Sequence, residues 1–256
     1  MSRPAQPAGD WADHFSTGAD AYARSRPGYP DDLFTWLAGQ APAVDLAWDV
    51  ATGNGQAACK LASHFSRVVG SDASGAQLAA APRESGALWL RCRAEAVALK
   101  AGCADLVTIA QALHWFAGSP FYDEVLRVAR PGALVAAWTY GLARIHPPVD
   151  IILDEFHDRV LGPWWPPRRR HVVEGYRDLE FPFAPVTAPA FTMTADWSLT
   201  ELLGYLETWS AVTLARQGTG EDPLPPLQEL LIPAWGTDVG TRRITWPLGL
   251  RVGRRS

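Results

Sequence analysis

Two acidic side chains and two glycines have the types and spacing of a nucleotide-binding turn. Asp49 lies in the apolar run LAWDV, and Gly53 and Gly55 follow it one residue apart. Asp72 lies 19 residues after Gly53. Glycines let the backbone approach a ligand closely, and the N-terminus of a following helix offers unpaired N–H groups. An acidic side chain at this distance can accept hydrogen bonds from both hydroxyls of a ribose.

Two classes of cofactor use such a turn. The run from Gly53 to Ala58 fits the pattern G-x-G-x-x-A, so NAD(P) is one interpretation. S-adenosylmethionine is the other, and three observations favour it. A carboxylate at Asp49 suits the ammonium group of that cofactor and would repel a pyrophosphate. The segment AQALHWF adds polar and aromatic side chains after a strand, and the second half of the chain shows no pattern for hydride transfer.

A parallel sheet would bring these residues together. Short apolar runs alternate with helical patterns up to about residue 140, which is typical of an α/β fold with a parallel sheet. Because the carboxyl ends of parallel strands meet at one edge, the two acidic residues and AQALHWF would lie near each other. The predicted strands are Leu46–Val50, Arg67–Ser71, Leu88–Cys92, Leu106–Ala110, Ala133–Thr139, Ala190–Thr194 and a last, antiparallel strand over Arg242–Leu250.

Composition argues against several classes of function. The chain has 256 residues and a net charge of −4 without a long basic run, so we expect no nucleic-acid partner. No segment approaches the roughly 18 apolar residues of a membrane span, and the N-terminus lacks the apolar core of a signal peptide, so we expect a cytoplasmic protein with no membrane partner. Three cysteines and six histidines show no metal-ligand spacing, so we expect no metal.

Several segments, in this order and at these spacings, resemble the class I S-adenosylmethionine-dependent methyltransferases. They are DVATGNGQ, VVGSDAS, RAEA, ADLVTIAQALHWF and RPGALVAAW. The closer match is to the type-11 branch that includes trans-aconitate methyltransferase and cantharidin-resistance-like proteins. FSTGADAYARSRPGYP resembles the cofactor lid of that branch, and GYRDLEFPF, LETWSAVT and PAWG resemble its C-terminal half. The resemblance therefore covers nearly the whole chain.

The resemblance implies a fold and an activity. The fold is α/β: a doubly wound, mostly parallel, seven-stranded Rossmann-like sheet with an antiparallel last strand and a helical insert or cap. The implied regions are a lid and first helix (1–40), a cofactor-binding core (41–140), an inserted cap (141–188) and a C-terminal completion of the sheet (189–256). The implied activity is S-adenosylmethionine-dependent methyl transfer to a small molecule, with O-methylation as the leading reaction and a carboxylate as one candidate acceptor. An NAD(P)-dependent oxidoreductase and a non-catalytic cofactor-binding protein stay open as alternatives.

The resemblance also implies roles for single residues. His114 is the candidate catalytic residue, either as a general base or as a packed residue that positions another group. Tyr29 lies in the segment that resembles the lid and is expected to contact the substrate. Trp164, Trp165 and Arg168 are further candidates from their residue types alone: they would either cap an acidic, partly apolar substrate or belong to a solvated loop with a hydrophobic anchor. The residues expected to bind the cofactor are Tyr22, Arg26, Asp49, Ala51, Thr52, Gly53, Gly55, Asp72, Ala73, Gln77, Ala94, Glu95, Gln111, Ala112 and Trp115.

Two positions depart from the family pattern. Ala51 stands where the family usually has its first glycine, and a methyl group there fits the turn only if the φ angle of Ala51 is negative. Arg93 stands where an acid often holds the adenine amino group. Adenine would then be recognised by the backbone near Ala94, by Glu95, or by packing alone.

Overall fold

The computed structural model describes residues 27–236 and 240–256. Within them, strands and helices make up the chain as far as residue 140, and helices predominate after it. A π-helix (Phe156–Val160) continues the helix that ends at Glu155, and a 3₁₀ turn (Gly162–Trp164) follows it. The remaining elements are α1 (Asp31–Gln40), β1 (Leu46–Val50), α2 (Gln56–Leu61), β2 (Arg67–Asp72), α3 (Gly75–Ala79), β3 (Ala87–Arg91), β4 (Ala104–Ala110), α4 (Leu113–Phe116), α5 (Ser119–Val128), β5 (Ala129–Tyr140), α6 (Pro147–Glu155), α7 (Arg169–Val173), β6 (Ala184–Pro185), β7 (Thr192–Trp197), α8 (Leu199–Glu207), α9 (Ser210–Thr219), α10 (Leu224–Trp235) and β8 (Arg242–Arg254).

The strands form a mixed sheet in the order β3-β2-β1-β4-β5-β8-β6, with β7 paired to β8 outside this path. The first five strands are parallel, and β8 runs antiparallel to β5. All five residues of β1 are buried, because layers of residues cover both faces of a central parallel strand. Trp48 belongs to the apolar cluster on one face and Ala47 to the cluster on the other. This architecture confirms the predicted fold class.

Strand β8 takes part in two sheets. Its second half, from Leu248 to Arg254, pairs with β5 in the core sheet. Its first half, from Arg242 to Pro247, pairs with β7. A third apolar cluster, which we call the cap cluster, packs around this first half and contains Trp246, Met193 and Tyr205. The cap cluster draws residues from both of the predicted regions 141–188 and 189–256. That division of the chain stays a prediction.

The sequence misplaced one strand. Ala190–Thr194 was expected to be the sixth strand, but the edge of the core sheet is the two-residue β6, Ala184–Pro185, which pairs with the end of β8. The predicted segment overlaps β7 instead. Pro185 has no N–H to donate and the edge pairing is short, so β6 has almost no sequence signal. Among the described residues, no helix is both long enough and apolar enough to cross a membrane.

Candidate functional site

The site lies where the strand order reverses. In open α/β sheets, ligands bind beyond the carboxyl ends of the strands at this point, here between β1 and β4. Ala51 follows β1 with a φ of 50°, and Gln111 follows β4 with a φ of 59°. The expectation that a methyl group fits this turn only at a negative φ is therefore wrong. Non-glycine residues with positive φ are strained and concentrate at functional sites.

Asp49 is fully buried and fixed by two hydroxyl groups. Thr52 donates to its Oδ2 at 2.5 Å, and Thr108 donates to its Oδ1 at 2.6 Å. Thr108 is within reach because β1 and β4 pair with Asp49 directly opposite it. Burial raises the pKa of Asp49 to about 6, and the two hydroxyl donors oppose that rise. The carboxylate is therefore held next to the turn by Thr52, and it ionises near neutral pH.

Asp72 ties the end of β2 to the glycine turn. The backbone N–H of Gly53 donates to its Oδ2 at 2.9 Å, and that of Ser74 donates to its Oδ1 at 2.7 Å. Burial raises the pKa of this carboxyl, and the backbone donors oppose the rise. Each carboxylate oxygen has a second lone pair. Asp72 can therefore support the turn and still accept from a ligand hydroxyl.

The two glycines of the turn have different neighbours. Gly53 has a φ of 60°, and a Cβ placed there would meet only Oε1 of Gln77, at 3.6 Å. Gly55 has a φ of 86°, and a Cβ there would lie 2.4 Å from Cη2 of Trp89. The ring of Trp89 also covers Gly70, where a Cβ would lie 2.5 Å from it. Gly53 thus leaves space for a ligand, whereas Gly55 leaves space for an indole.

A small cavity borders Asp72. Five of the predicted cofactor-binding residues line it: Ala51, Asp72, Ala73, Ala94 and Glu95. Cys92 and Phe116 line it as well, although the sequence did not predict them. Arg93 is exposed and pairs with Glu95 at 3.4 Å. These residues fit the adenosine part of a cofactor, because they combine an acid for ribose hydroxyls with apolar side chains for a base.

A larger cavity of about 350 Å³ adjoins the small one, and the two share Glu95 and Phe116. His114, Trp115, Arg168 and His171 also line it. Arg168 donates from Nη1 to the carbonyl oxygens of His114 and Trp115. Arg168 and α7, which begins at the next residue, thus bring basic side chains against α4.

His114 is held by a tyrosine that the sequence argument did not select. Its Nδ1 lies 3.0 Å from the hydroxyl of Tyr176. Burial, assisted by the positive charges of Arg169, His171 and Arg168, lowers the pKa of His114 to about 3. The imidazole is therefore neutral at pH 7 and too weakly basic to remove a proton from an alcohol. This favours the reading of His114 as a positioning group over that of a general base.

Three of the predicted substrate residues line neither of these two cavities. Trp165 donates from Nε1 to the carbonyl of His157. The guanidinium carbon of Arg169 lies over the indole of Trp165, 4.6 Å from the centroid of that ring. Trp164 packs over Gly218, where a Cβ would lie 2.1 Å from its ring. Tyr29 packs edge-on against Trp138 with ring centroids 5.5 Å apart. Only Arg168 of this group reaches the larger cavity.

The remaining predicted residues support the site or lie outside the description. Gln77 is buried in α3 beneath Gly53, and Ala112 is buried before α4. Gln111 accepts at Oε1 from the hydroxyl of Thr139, at 2.6 Å. Tyr22 and Arg26 lie outside the described residues, so the lid stays a prediction. Within the described residues, no cluster of three or more His, Cys, Asp or Glu is placed to hold a metal ion.

Comparisons with known proteins agree with this geometry. A family model described as a methyltransferase domain matches residues 48–137. A provisionally named methyltransferase of Dictyostelium discoideum is 28% identical over 248 residues, covering 95% of this chain and 94% of that protein. The solved structure of a provisionally assigned type II methyltransferase from Anaeromyxobacter dehalogenans is 44% identical, with a TM-score of 0.85, and the match covers 90% of this chain and 97% of that one.

A more distant structure shares the fold alone. Phosphoethanolamine N-methyltransferase 2 of Haemonchus contortus, solved with S-adenosyl-L-methionine, is 16% identical with a TM-score of 0.51, and the match covers 100% of this chain and 62% of that one. Together the comparisons favour a methyltransferase over the NAD(P)-dependent alternative. They do not distinguish branches of the methyltransferase family, so membership of the branch with trans-aconitate methyltransferase and the cantharidin-resistance-like proteins stays a prediction.

Proposed function

The chain belongs to the class I S-adenosylmethionine-dependent methyltransferases, and on that premise we propose that it methylates an oxygen atom of a small organic acid. The observation that carries the proposal is the larger cavity, where basic Arg168 and His171 lie beside a neutral His114. The fixed positive charge of Arg168 in this cavity suits an anionic acceptor, since the carboxylate in the lining, Glu95, already pairs with Arg93. With a pKa of about 3, His114 is a poor general base, so the site suits an acceptor that has already lost its proton.

The residues around the glycine turn fit the cofactor. Gly53 offers backbone beside open space, Asp72 offers a free lone pair on each oxygen, and Asp49 offers a buried negative charge for an ammonium group. Phe116 and Ala94 would pack against the base. When bound, S-adenosylmethionine supplies a methyl group on a sulfonium, which passes to a nucleophile as the carbon–sulfur bond breaks and its electron pair stays on sulfur.

The protein then has two tasks. It must hold the acceptor oxygen in line with the methyl group, and it must exclude water. Arg168 suits the first task through its planar guanidinium, since its bonds to two backbone carbonyls fix one end of the fork. A carboxylate acceptor loses no proton during the reaction, so no base is required.

A matched screen tests the proposal. Release of S-adenosylhomocysteine is measured over sets of three compounds that share a carbon skeleton and differ in one group: carboxylic acid, primary alcohol or primary amine. We expect turnover of acids only, and a fall of about tenfold or more in kcat/KM for Arg168→Gln, since a charge-assisted hydrogen bond contributes roughly 1.5–3 kcal/mol.

Two other outcomes would contradict the proposal, one in its acceptor class and one in its catalytic activity. Turnover of alcohols or amines in place of acids would overturn the acceptor class and leave the methyltransferase family intact. Tight binding of S-adenosylhomocysteine with no turnover of any compound class would instead favour the non-catalytic alternative. Binding by isothermal titration therefore accompanies the screen.

A further inference from the structure

Tyr176 has a backbone conformation that needs an explanation. Its side chain is fully buried, yet its φ angle is 63°. A bulky residue rarely adopts this left-handed conformation, and such strain persists only where surrounding structure enforces it. Ala51 and Gln111 are the other non-glycine residues of the described chain with positive φ, and both lie at the cofactor end of the sheet.

The core sheet enforces this conformation from β8. Arg251 donates from Nη1 to the carbonyl oxygen of Tyr176 at 2.8 Å, and also to that of Leu179. Gly175 packs so closely on Gly249 that a Cβ at Gly249 would lie 2.8 Å from the Cα of Gly175. A segment that follows the short α7 is thereby attached to β8 of the core sheet. These contacts hold the backbone of Tyr176 in its left-handed conformation.

The consequence of this fixing is a hydrogen bond to His114. The hydroxyl of Tyr176 lies 3.0 Å from Nδ1, and the two rings lie 5.8 Å apart at an angle of 32°. The helix α4 that carries His114 has only four residues, so its position depends on contacts with the rest of the protein. With Nδ1 bound to Tyr176, Nε2 is the ring nitrogen left for a ligand in the cavity that His114 lines.

The charges around His114 keep the ring neutral. The groups that face it are Arg168, which immediately precedes α7, Arg169 and His171 of α7, and the phenol of Tyr176. No carboxylate of the described residues forms an ion pair with His114, whereas His171 pairs with Asp178 at 2.7 Å. The hydrogen bond between the Tyr176 hydroxyl and Nδ1 therefore involves a neutral imidazole, and the bond that one ring nitrogen makes determines which tautomer is present.

We propose that Tyr176 is a positioning residue for methyl transfer, which holds the ring of His114 in one tautomer and one orientation with Nε2 toward the acceptor. The inference rests on the proposed function only in its last step, the presence of an acceptor in the larger cavity. The positioning itself is a property of the protein alone. Its test therefore needs no acceptor.

The test is nitrogen NMR of ¹⁵N-histidine-labelled protein with S-adenosylhomocysteine present and absent. His114→Gln identifies the His114 signals by their loss. We expect one neutral tautomer that does not titrate between pH 8 and pH 5, and a mixture of tautomers in Tyr176→Phe. Tyr122→Phe is the matched control, because its hydroxyl donates at 2.5 Å to the backbone of Glu180 in the same segment and not to a histidine. An unchanged tautomer in Tyr176→Phe would overturn the proposal.

A second variant covers a failure of Tyr176→Phe to fold. Arg251→Met removes the Nη1 donor that holds the carbonyl oxygens of Tyr176 and Leu179, so it should also mix the tautomers of His114. With an acceptor from the screen, Tyr176→Phe should lower kcat about tenfold, as expected for one lost hydrogen bond, and leave KM for S-adenosylmethionine unchanged. In a His114→Asn background the same change should have no further effect, and additive losses would show that Tyr176 acts through folding alone.

Discussion

At the residue scale, Ala51 shows how one backbone angle reverses an expectation. With a φ of 50°, its methyl group is strained in the folded state. Ala51→Gly should therefore stabilise the protein by about 1 kcal/mol, since an L-residue in the left-handed region costs roughly 1–2 kcal/mol and the added chain entropy of glycine offsets part of the gain. The change is measured by urea unfolding.

The matched control is Ala112→Gly. Ala112 is buried beside the site, where Ala51 is half-buried, and its φ is −125°, so glycine relieves no strain there. We expect it to lose about 0.4–1 kcal/mol through the unfolded state alone. If Ala51→Gly destabilises the protein as much as Ala112→Gly does, the strain at Ala51 is not real.

Asp49 should make cofactor binding depend on pH. Its pKa in the free protein is about 6, because burial penalises the charged form. If the ionised carboxylate pairs with the cofactor ammonium group, affinity for S-adenosylhomocysteine should be constant above pH 7 and fall by up to about tenfold per unit as pH drops below 6. Isothermal titration in buffers of different ionisation enthalpy should detect proton release on binding at pH 6. Asp49→Asn should bind more weakly, without that proton release.

Part of this site was predictable from spacing, and part was not. The link between Gly53 and Asp72 could be predicted, because a strand, a turn and a helix have nearly fixed lengths, and the structure joins them at 2.9 Å. The partner of Asp49 on the neighbouring strand could not, because Thr108 depends on the register between β1 and β4. Tyr176 depends on where a long segment docks on β8, which no local pattern records.

At the scale of elements, the two glycines of the turn have different roles: Gly55 packs against Trp89, and Gly53 leaves space for a ligand. Gly55→Ala should destabilise the protein by about 3 kcal/mol, since left-handed strain adds to a clash with Trp89, and overpacking alone costs roughly 1–3 kcal/mol. Gly53→Ala should cost only about 1–2 kcal/mol of strain, because its Cβ meets open space. It should nevertheless weaken binding of S-adenosylhomocysteine more than Gly55→Ala does.

Both variants are compared by urea unfolding and by titration with S-adenosylhomocysteine. Trp89→Leu supplies the check, because it should recover part of the stability lost in Gly55→Ala and none of that lost in Gly53→Ala. Equal loss of affinity in the two single variants would mean that the ligand approaches both glycines. The roles assigned to the turn would then have to be revised.

The elements differ in how well the sequence predicted them. The five parallel strands were found, because buried apolar runs bounded by glycine and polar turns are a strong local signal. The sixth strand was placed in the wrong segment, because two residues that include Pro185 carry no periodicity. The division of β8 between two sheets was missed for another reason, since pairing partners are not written in a strand's own sequence.

At the scale of the whole molecule, β8 should make the core sheet and the cap cluster unfold together. One continuous strand supplies hydrogen bonds to β5 with its second half and to β7 with its first half. Melting either sheet removes the partner that orders the other. We therefore expect a single unfolding transition, with equal calorimetric and van't Hoff enthalpies, although the apolar clusters of cap and core are separate.

Two variants in different clusters sharpen this expectation. Met193 on β7 is fully buried in the cap cluster, and Leu134 on β5 is fully buried in the core. Met193→Ala and Leu134→Ala should each cost about 2–5 kcal/mol, because each deletes a buried side chain and leaves a cavity. In a cooperative molecule, Met193→Ala should speed hydrogen exchange at the amide of Val135 in the core by the full factor that its loss of stability predicts. If Met193→Ala produces an early transition of its own and leaves exchange at Val135 unchanged, the cap unfolds as an independent unit and β8 does not couple the two sheets.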